Sequence, residues 1–168
     1  MAVHKSTSNP VQLDRVDRRI LELLQQDGKL SNQEIAERVA LSPSPCLRRI
    51  RRLEEAGVIR QYVALLDPGK LGLGLLAYAT VRLEKHGESQ KRSPVDAFRA
   101  AVETWPEVIA CYAMTGEMDY LLRVEVQDLE HYSRFVMGHL LKHPAVVDVK
   151  SSFALERIKE TTALPVPN

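Results

Sequence analysis

The chain has 168 residues, 45% hydrophobic and 27% charged, with 8 Gly and 9 Pro, a balance that suits one or two small packed cores and excludes a disordered chain, a collagen or a coiled-coil rod. No run approaches the roughly 20 apolar residues that span a bilayer, and the opening MAVHKSTSNP lacks an apolar signal run, so a cytoplasmic chain with no membrane partner is expected. Cys46 and Cys111 have no CxxC partner, which argues against a disulfide framework or zinc knuckle; the net charge of +1 conceals an asymmetry, with 11 Lys and Arg against 8 Asp and Glu in residues 1–63 but 12 against 14 in residues 64–168.

Residues 1–12 read as a flexible N-terminal arm. Leu13, Val16, Ile20, Leu23 and Leu24 then recur at helical spacing, with Asp14 as N-cap and Asp27-Gly28 as the stop. Ser31 and Glu34 form the S-x-x-E signature of a second, short helix bearing Ile35, Ala36 and Val39. Pro43 cannot continue it, so a turn is expected at Leu41-Ser42-Pro43. Ser44 is the expected cap of a third helix, with Pro45 at its first position and Gly57 beyond its end.

At about 100° per residue, Cys46, Leu47, Ile50 and Leu53 share one side of that third helix, and Arg48 and Arg52 lie opposite, flanked by Arg49 and Arg51. A short helix, a tight turn and a second helix bearing outward arginines is a helix-turn-helix, whose second helix enters the major groove of DNA. Arg48 and Arg52 are the expected base-edge readers. Arg49, Arg51 and the amides around Ser44 and Pro45 are expected on phosphates. Ile59–Ala64 has strand-like composition and is expected to form a wing or connector.

The stretch LDRVDRRILELLQQDGKLSNQEIAERVALSPSPCLRRIRRLEEAGVIRQYVALLDP, together with the later TGEMDYLL, closely resembles the leucine-responsive/AsnC, or feast/famine, family of transcription regulators. The likeness runs over roughly residues 13 to 160 in the family's order and spacing. It implies a DNA-binding domain over residues 13–63, regulation of transcription, and the nucleoid as the cytoplasmic site of action.

Residues 64–74, with Gly69, Gly72, Gly74 and Pro68, read as a linker. A dinucleotide loop does not fit, because the glycines precede a strand instead of following one. Over 75–160 the pattern is strand (Leu75–Glu84), helix (Ser93–Trp105), strand (Val108–Met114), strand (Asp119–Val126), helix capped by Asp128, and strand from Val146. This order is the ferredoxin-like βαββαβ arrangement, so the fold class is α+β. In Asp119–Val126, Tyr120, Leu122, Val124 and Val126 alternate with Arg123 and Glu125, giving one buried and one wet face. Two helices cover one side of such a sheet; a second copy is the economical cover for the other, so a homodimer is expected. Residues 161–168 read as a flexible tail.

The second domain also resembles the family, in which it senses a small effector, usually an amino acid, and assembles dimers, often four of them into an octamer. The resemblance implies an effector site at Met114, Thr115, Gly116, Glu117, Asp119 and Tyr120, with Leu141 at a position tied to effector response and assembly. Gly116 permits close backbone approach, and Asp119 or Glu117 suits an ammonium group. Family members commonly carry Asp where Glu117 stands. A two-fold dimer predicts a pseudo-palindromic operator.

No G-x-S-x-G, P-loop, H-E-x-x-H or paired CxxC occurs, so neither an enzyme nor a metal or cofactor is expected. His139 and His143 are four apart without an evident third ligand, and Cys46 falls on an apolar face. The alternative reading is an architectural DNA-compacting protein, which would use the same arginines with little sequence preference.

Overall fold

The computed structural model describes residues 10–84 and 93–167. The expected N-terminal arm lies outside them except for residues 10–12. Two compact units form, Met1–Leu65 with Lys159–Asn168, and Leu66–Ile158.

The first unit is built on α1 (Arg15–Gln26), α2 (Asn32–Arg38) and α3 (Pro43–Glu55). Asp14 caps α1 in a capping box closed by Asp17, and Ser31 with Glu34 closes the equivalent box on α2. The turn after α2 is a Schellman motif: Leu41 N–H donates to the Ala36 carbonyl at 2.9 Å and Ala40 N–H to that of Glu37 at 3.3 Å. Ala40 takes the left-handed conformation that glycine usually fills, at φ 54°. Gly57 repeats the motif after α3 with φ 69°. Ile20, Leu23, Ile35, Cys46, Ile50 and Leu53 form the core. Cys46 is buried there, and burial pushes its thiol above the ordinary value.

Three expectations fail in this unit. The third helix begins two residues earlier than expected, with Ser42 as N-cap and Pro43 as first residue. The side-chain amide of Asn32 donates to the Pro43 carbonyl at 2.9 Å and holds that start against α2. The strand expected at Ile59–Ala64 is absent; Val58 and Ile59 pack on the core, Ile59 N–H donates to the Leu53 carbonyl at 3.1 Å, and the described residues of this unit offer the segment no strand with which to pair. Residues 164–167, expected to hang free, lie on α1, with Val166 against the core.

The second unit opens with a turn in which the Asp67 carboxylate accepts from the amides of Gly69 and Lys70. β1 (Leu75–Leu83), α4 (Pro94–Val102), β2 (Val108–Ala113), β3 (Tyr120–Val126), α5 (Leu129–Phe135) and β4 (Val146–Phe153) follow. The antiparallel sheet has the order β2-β3-β1-β4, which is the ferredoxin-like arrangement. Asp128 caps α5 through His131 N–H at 2.8 Å, and a π-turn over Val136–Leu140 extends the helix.

Ala77, Ala79, Val81, Leu122, Val124 and Val126 meet Phe98, Trp105, Phe135 and Leu140 in the core. Its rings pack edge to face, Phe98 on Trp105 at 5.9 Å and Trp105 on Phe135 at 5.7 Å. His139 and His143 join this stack against Trp105 and Phe98. The wet face expected on β3 is only partly wet. Glu125 is buried, with Arg123 at 3.1 Å and Arg157 at 2.8 Å from its Oε1, because alternation sets which way a side chain points, whereas a distant arginine decides whether water reaches it.

Candidate functional site

The outward face of α3 carries Ser44, Arg48 and Arg51, spaced i, i+4, i+7 so that they line one stripe. All three are exposed. With Leu47, Arg49, Arg52 and Glu55 they border a shallow depression of about 690 Å³ along the helix.

The four arginines divide into two pairs. Arg49 Nη1 lies 2.5 Å from Asp14 and 2.8 Å from Asp17, and Arg52 Nη2 binds the other oxygen of Asp17. Asp17 is fully buried, and its carboxylate oxygens are met there by these two cations and by the amide of Asp14, which donates to it at 3.1 Å. The same contacts act on Asp14: the Asp17 amide, followed by the Arg49 guanidinium, lowers its carboxyl to about 2. Arg48 and Arg51 have no ion pair among the described residues. The expectation that Arg52 stands free opposite the core is therefore corrected, and Arg49 is an internal brace between α3 and α1.

The helix start also differs in what it offers a phosphate. Pro43 and Pro45 have no N–H, so Ser44 supplies the single amide among the first three positions of α3. The ring of amides expected around the cap shrinks to that N–H and the Ser44 hydroxyl.

In the second unit, Met114 to Asp119 form the turn between β2 and β3, closed by Met114 N–H donating to the Asp119 carbonyl at 2.8 Å. Gly116 sits at φ 110° in that turn. Met114, Thr115, Gly116 and Glu117 are exposed. Asp119 and Tyr120 point elsewhere: Asp119 Oδ2 accepts from Leu83 N–H at 2.7 Å, and the buried Tyr120 hydroxyl accepts from Arg99 Nε at 3.2 Å. Glu117 lies 3.5 Å from Lys150. Asp119 and Tyr120 line, with Leu83, Pro94 and Val95, a cavity of about 270 Å³. Leu141, just past the π-turn, is exposed.

Sequence reasoning missed Asp14 and Asp17 as the holders of the arginines. Two aspartates three residues apart at the start of α1 signal a capped helix, and that spacing carries no sign of the arginines 32 and 35 positions away that they hold.

The geometry agrees with known proteins. A family model described as a winged helix-turn-helix DNA-binding domain matches residues 13–60, and one described as the Lrp/AsnC ligand binding domain matches residues 76–164. The chain is 44% identical to the DNA-binding transcriptional activator DecR of Escherichia coli (strain K12), over 92% of this chain and 99% of that protein. It is 39% identical to the leucine-responsive regulatory protein of Salmonella typhimurium, over 92% of each. The crystal structure of a transcriptional regulator from Neisseria meningitidis in complex with L-Met superposes with a TM-score of 0.86 at 49% identity, covering 92% of this chain and 97% of that one. The helix-turn-helix with its arginine stripe and the ferredoxin-like unit that follows it are thus the two halves of a DNA-binding transcription regulator, and the chain belongs to the Lrp/AsnC family.

Proposed function

We propose that the protein binds a pseudo-palindromic operator as a homodimer, with α3 in the major groove, and that an amino acid tunes its assembly or affinity; it performs no catalysis and works on the nucleoid in the cytoplasm. The observation that carries the reading is the stripe Ser44, Arg48 and Arg51, whose two guanidinium groups form no ion pair among the described residues. Arg48, opposite the core, takes the base edge, and a bidentate pair with guanine suits its fork. Arg51, Ser44 and the backbone beside Pro45 hold phosphate. Arg49 and Arg52 set the angle of α3 through Asp17, and the exposed part of the Arg52 side chain reaches the DNA backbone.

Operator titrations test this division. Arg48→Ala lowers operator affinity by about 1 to 3 kcal/mol and relaxes preference at one base pair. An equal loss on operator and random DNA moves Arg48 to the backbone and favours an architectural role.

For the effector, the exposed turn of Thr115, Gly116 and Glu117 offers amides to a carboxylate and an acid to an ammonium, with Met114 and Leu141 as apolar neighbours and Asp119 and Tyr120 as the rigid base. L-methionine is the first candidate, since the Neisseria meningitidis relative was crystallised with it. The sheet face away from α4 and α5 shows Tyr78 and Tyr112, with the half-buried Leu121 and with Arg123 and Thr80 between them, a face that a second copy covers, and dimers associate further up to four. Calorimetry with L-methionine and the other amino acids, run beside sedimentation, gives heat and a change in assembly for the true effector; silence from all of them leaves an effector-independent regulator.

A further inference from the structure

The C-terminal segment is held to α1 by contacts that read its backbone. Gln25 uses both ends of its side-chain amide on one residue, Nε2 donating to the Leu164 carbonyl at 3.0 Å and Oε1 accepting from Leu164 N–H at 2.6 Å. Two turns earlier on the same stripe, Arg18 Nε donates to the Pro167 carbonyl at 2.7 Å. The spans match: seven helical residues advance about 10.5 Å and three extended residues about 10 Å. Between the clamps Val166 packs on the core of the head, and Leu164, Pro165, Val166 and Pro167 form one wall, opposite Leu21, Leu24, Val58 and Ile59, of an apolar cavity of about 310 Å³ left between the segment and the head.

The chemistry of the segment suits this mode of binding. Pro165 and Pro167 set extended backbone angles and carry no N–H, so the segment needs few partners and loses little freedom on docking. Leu164, whose side chain is exposed, is recognised through its peptide groups, while Val166 supplies the apolar anchor.

We propose that the groove between α1 and the segment after α3 is a peptide-binding surface for an extended Leu-Pro-Val-Pro stretch, and that its occupant is the chain's own C-terminus. The chain leaves the head at Leu65 and returns to it at Lys159, so the ligand-binding unit is joined to the head through two strands of chain instead of one. The second attachment falls on α1, where Arg18 adjoins Asp17, the residue that holds Arg49 and Arg52 of the recognition helix. The latch thus grips the helix that orients the DNA-reading face.

A labelled peptide of residues 161–168 and a chain ending at Glu160 test the surface. The shortened chain is expected to bind the peptide saturably and the full chain to refuse it, because its groove is filled; Gln25→Ala in the shortened chain weakens binding roughly tenfold, the worth of two neutral hydrogen bonds. Should the shortened chain fail to fold, hydrogen exchange of the full-length Val166→Glu protein replaces it, with faster exchange expected in 161–167 and along α1. Equal uptake by both chains, no uptake by a folded shortened chain, or unchanged exchange in Val166→Glu overturns the proposal.

Discussion

The DNA-binding head and the ligand-binding unit use their polar side chains in opposite ways. In the head, two arginines of α3 are held by carboxylates of α1, and that leaves the other two, Arg48 and Arg51, presented on a firmly oriented helix. In the ligand-binding unit, the residues that the turn after β2 brings together are mostly engaged at home: Asp119 with Leu83 N–H, Tyr120 with Arg99, Glu117 with Lys150. A polyanion needs a surface of unsatisfied cations, which one chain can build by itself. A small zwitterion needs enclosure, and an exposed turn supplies donors but only one wall.

Several substitutions break or sharpen this contrast, the most damaging first. Asp17→Ala removes a buried carboxylate from between two arginines together with half of a capping box, and is expected to destabilise the head by about 2 to 4 kcal/mol; denaturant unfolding followed by a probe in residues 15–55 measures it, and a loss near zero would mean the arginines are not held. Asp119→Ala is expected to cost about 1 to 3 kcal/mol by leaving the Leu83 amide unanswered. Glu117→Ala, which breaks only an exposed pair, is expected to cost no more than about 0.5 kcal/mol in stability while reducing the heat of effector binding. The reverse ranking in thermal melts would make Glu117 the structural acid and Asp119 the free one.

The Asp14 carboxyl sits at about 2 in the folded head against an ordinary 3.8. Its charged form therefore stabilises the fold fully above 3.8, and the contribution is lost as pH falls to about 2. The stability gap between wild type and Asp14→Asn, itself a competent cap, closes over that window in acid titrations. A small gain instead of a loss is expected at Ala40, where glycine relieves the left-handed backbone at φ 54°; Ala40→Gly gains about 0.5 kcal/mol after the unfolded chain's extra freedom is counted.

Local chemistry was the readable part. Asp14 with Asp17 and Ser31 with Glu34 cap their helices because the partners lie three residues apart, within reach of any reading of the chain. The strand order followed from the alternation of core residues and from the βαββαβ succession. The start of α3 was harder, since Ser42-Pro43 and Ser44-Pro45 are equally good starts, and the choice rests on Asn32 bonding to Pro43. The turn proposed for the effector is marked in the sequence by its glycine and by the family resemblance, yet the direction of Asp119 toward β1 depends on a neighbour 36 residues away in sequence.

Apart from the strand expected at Ile59–Ala64, the amino-acid order alone determined which helices and strands form, which of their faces are apolar, and that a basic helix follows a tight turn, because those outcomes depend on near neighbours in the chain. Tertiary structure decided which arginines are free, that Glu125 is buried, and where the C-terminus lies. Each of these depends on charges or peptide groups separated by 32, 35 or 139 positions, and no periodicity in a chain reports which distant group will arrive to satisfy a buried one.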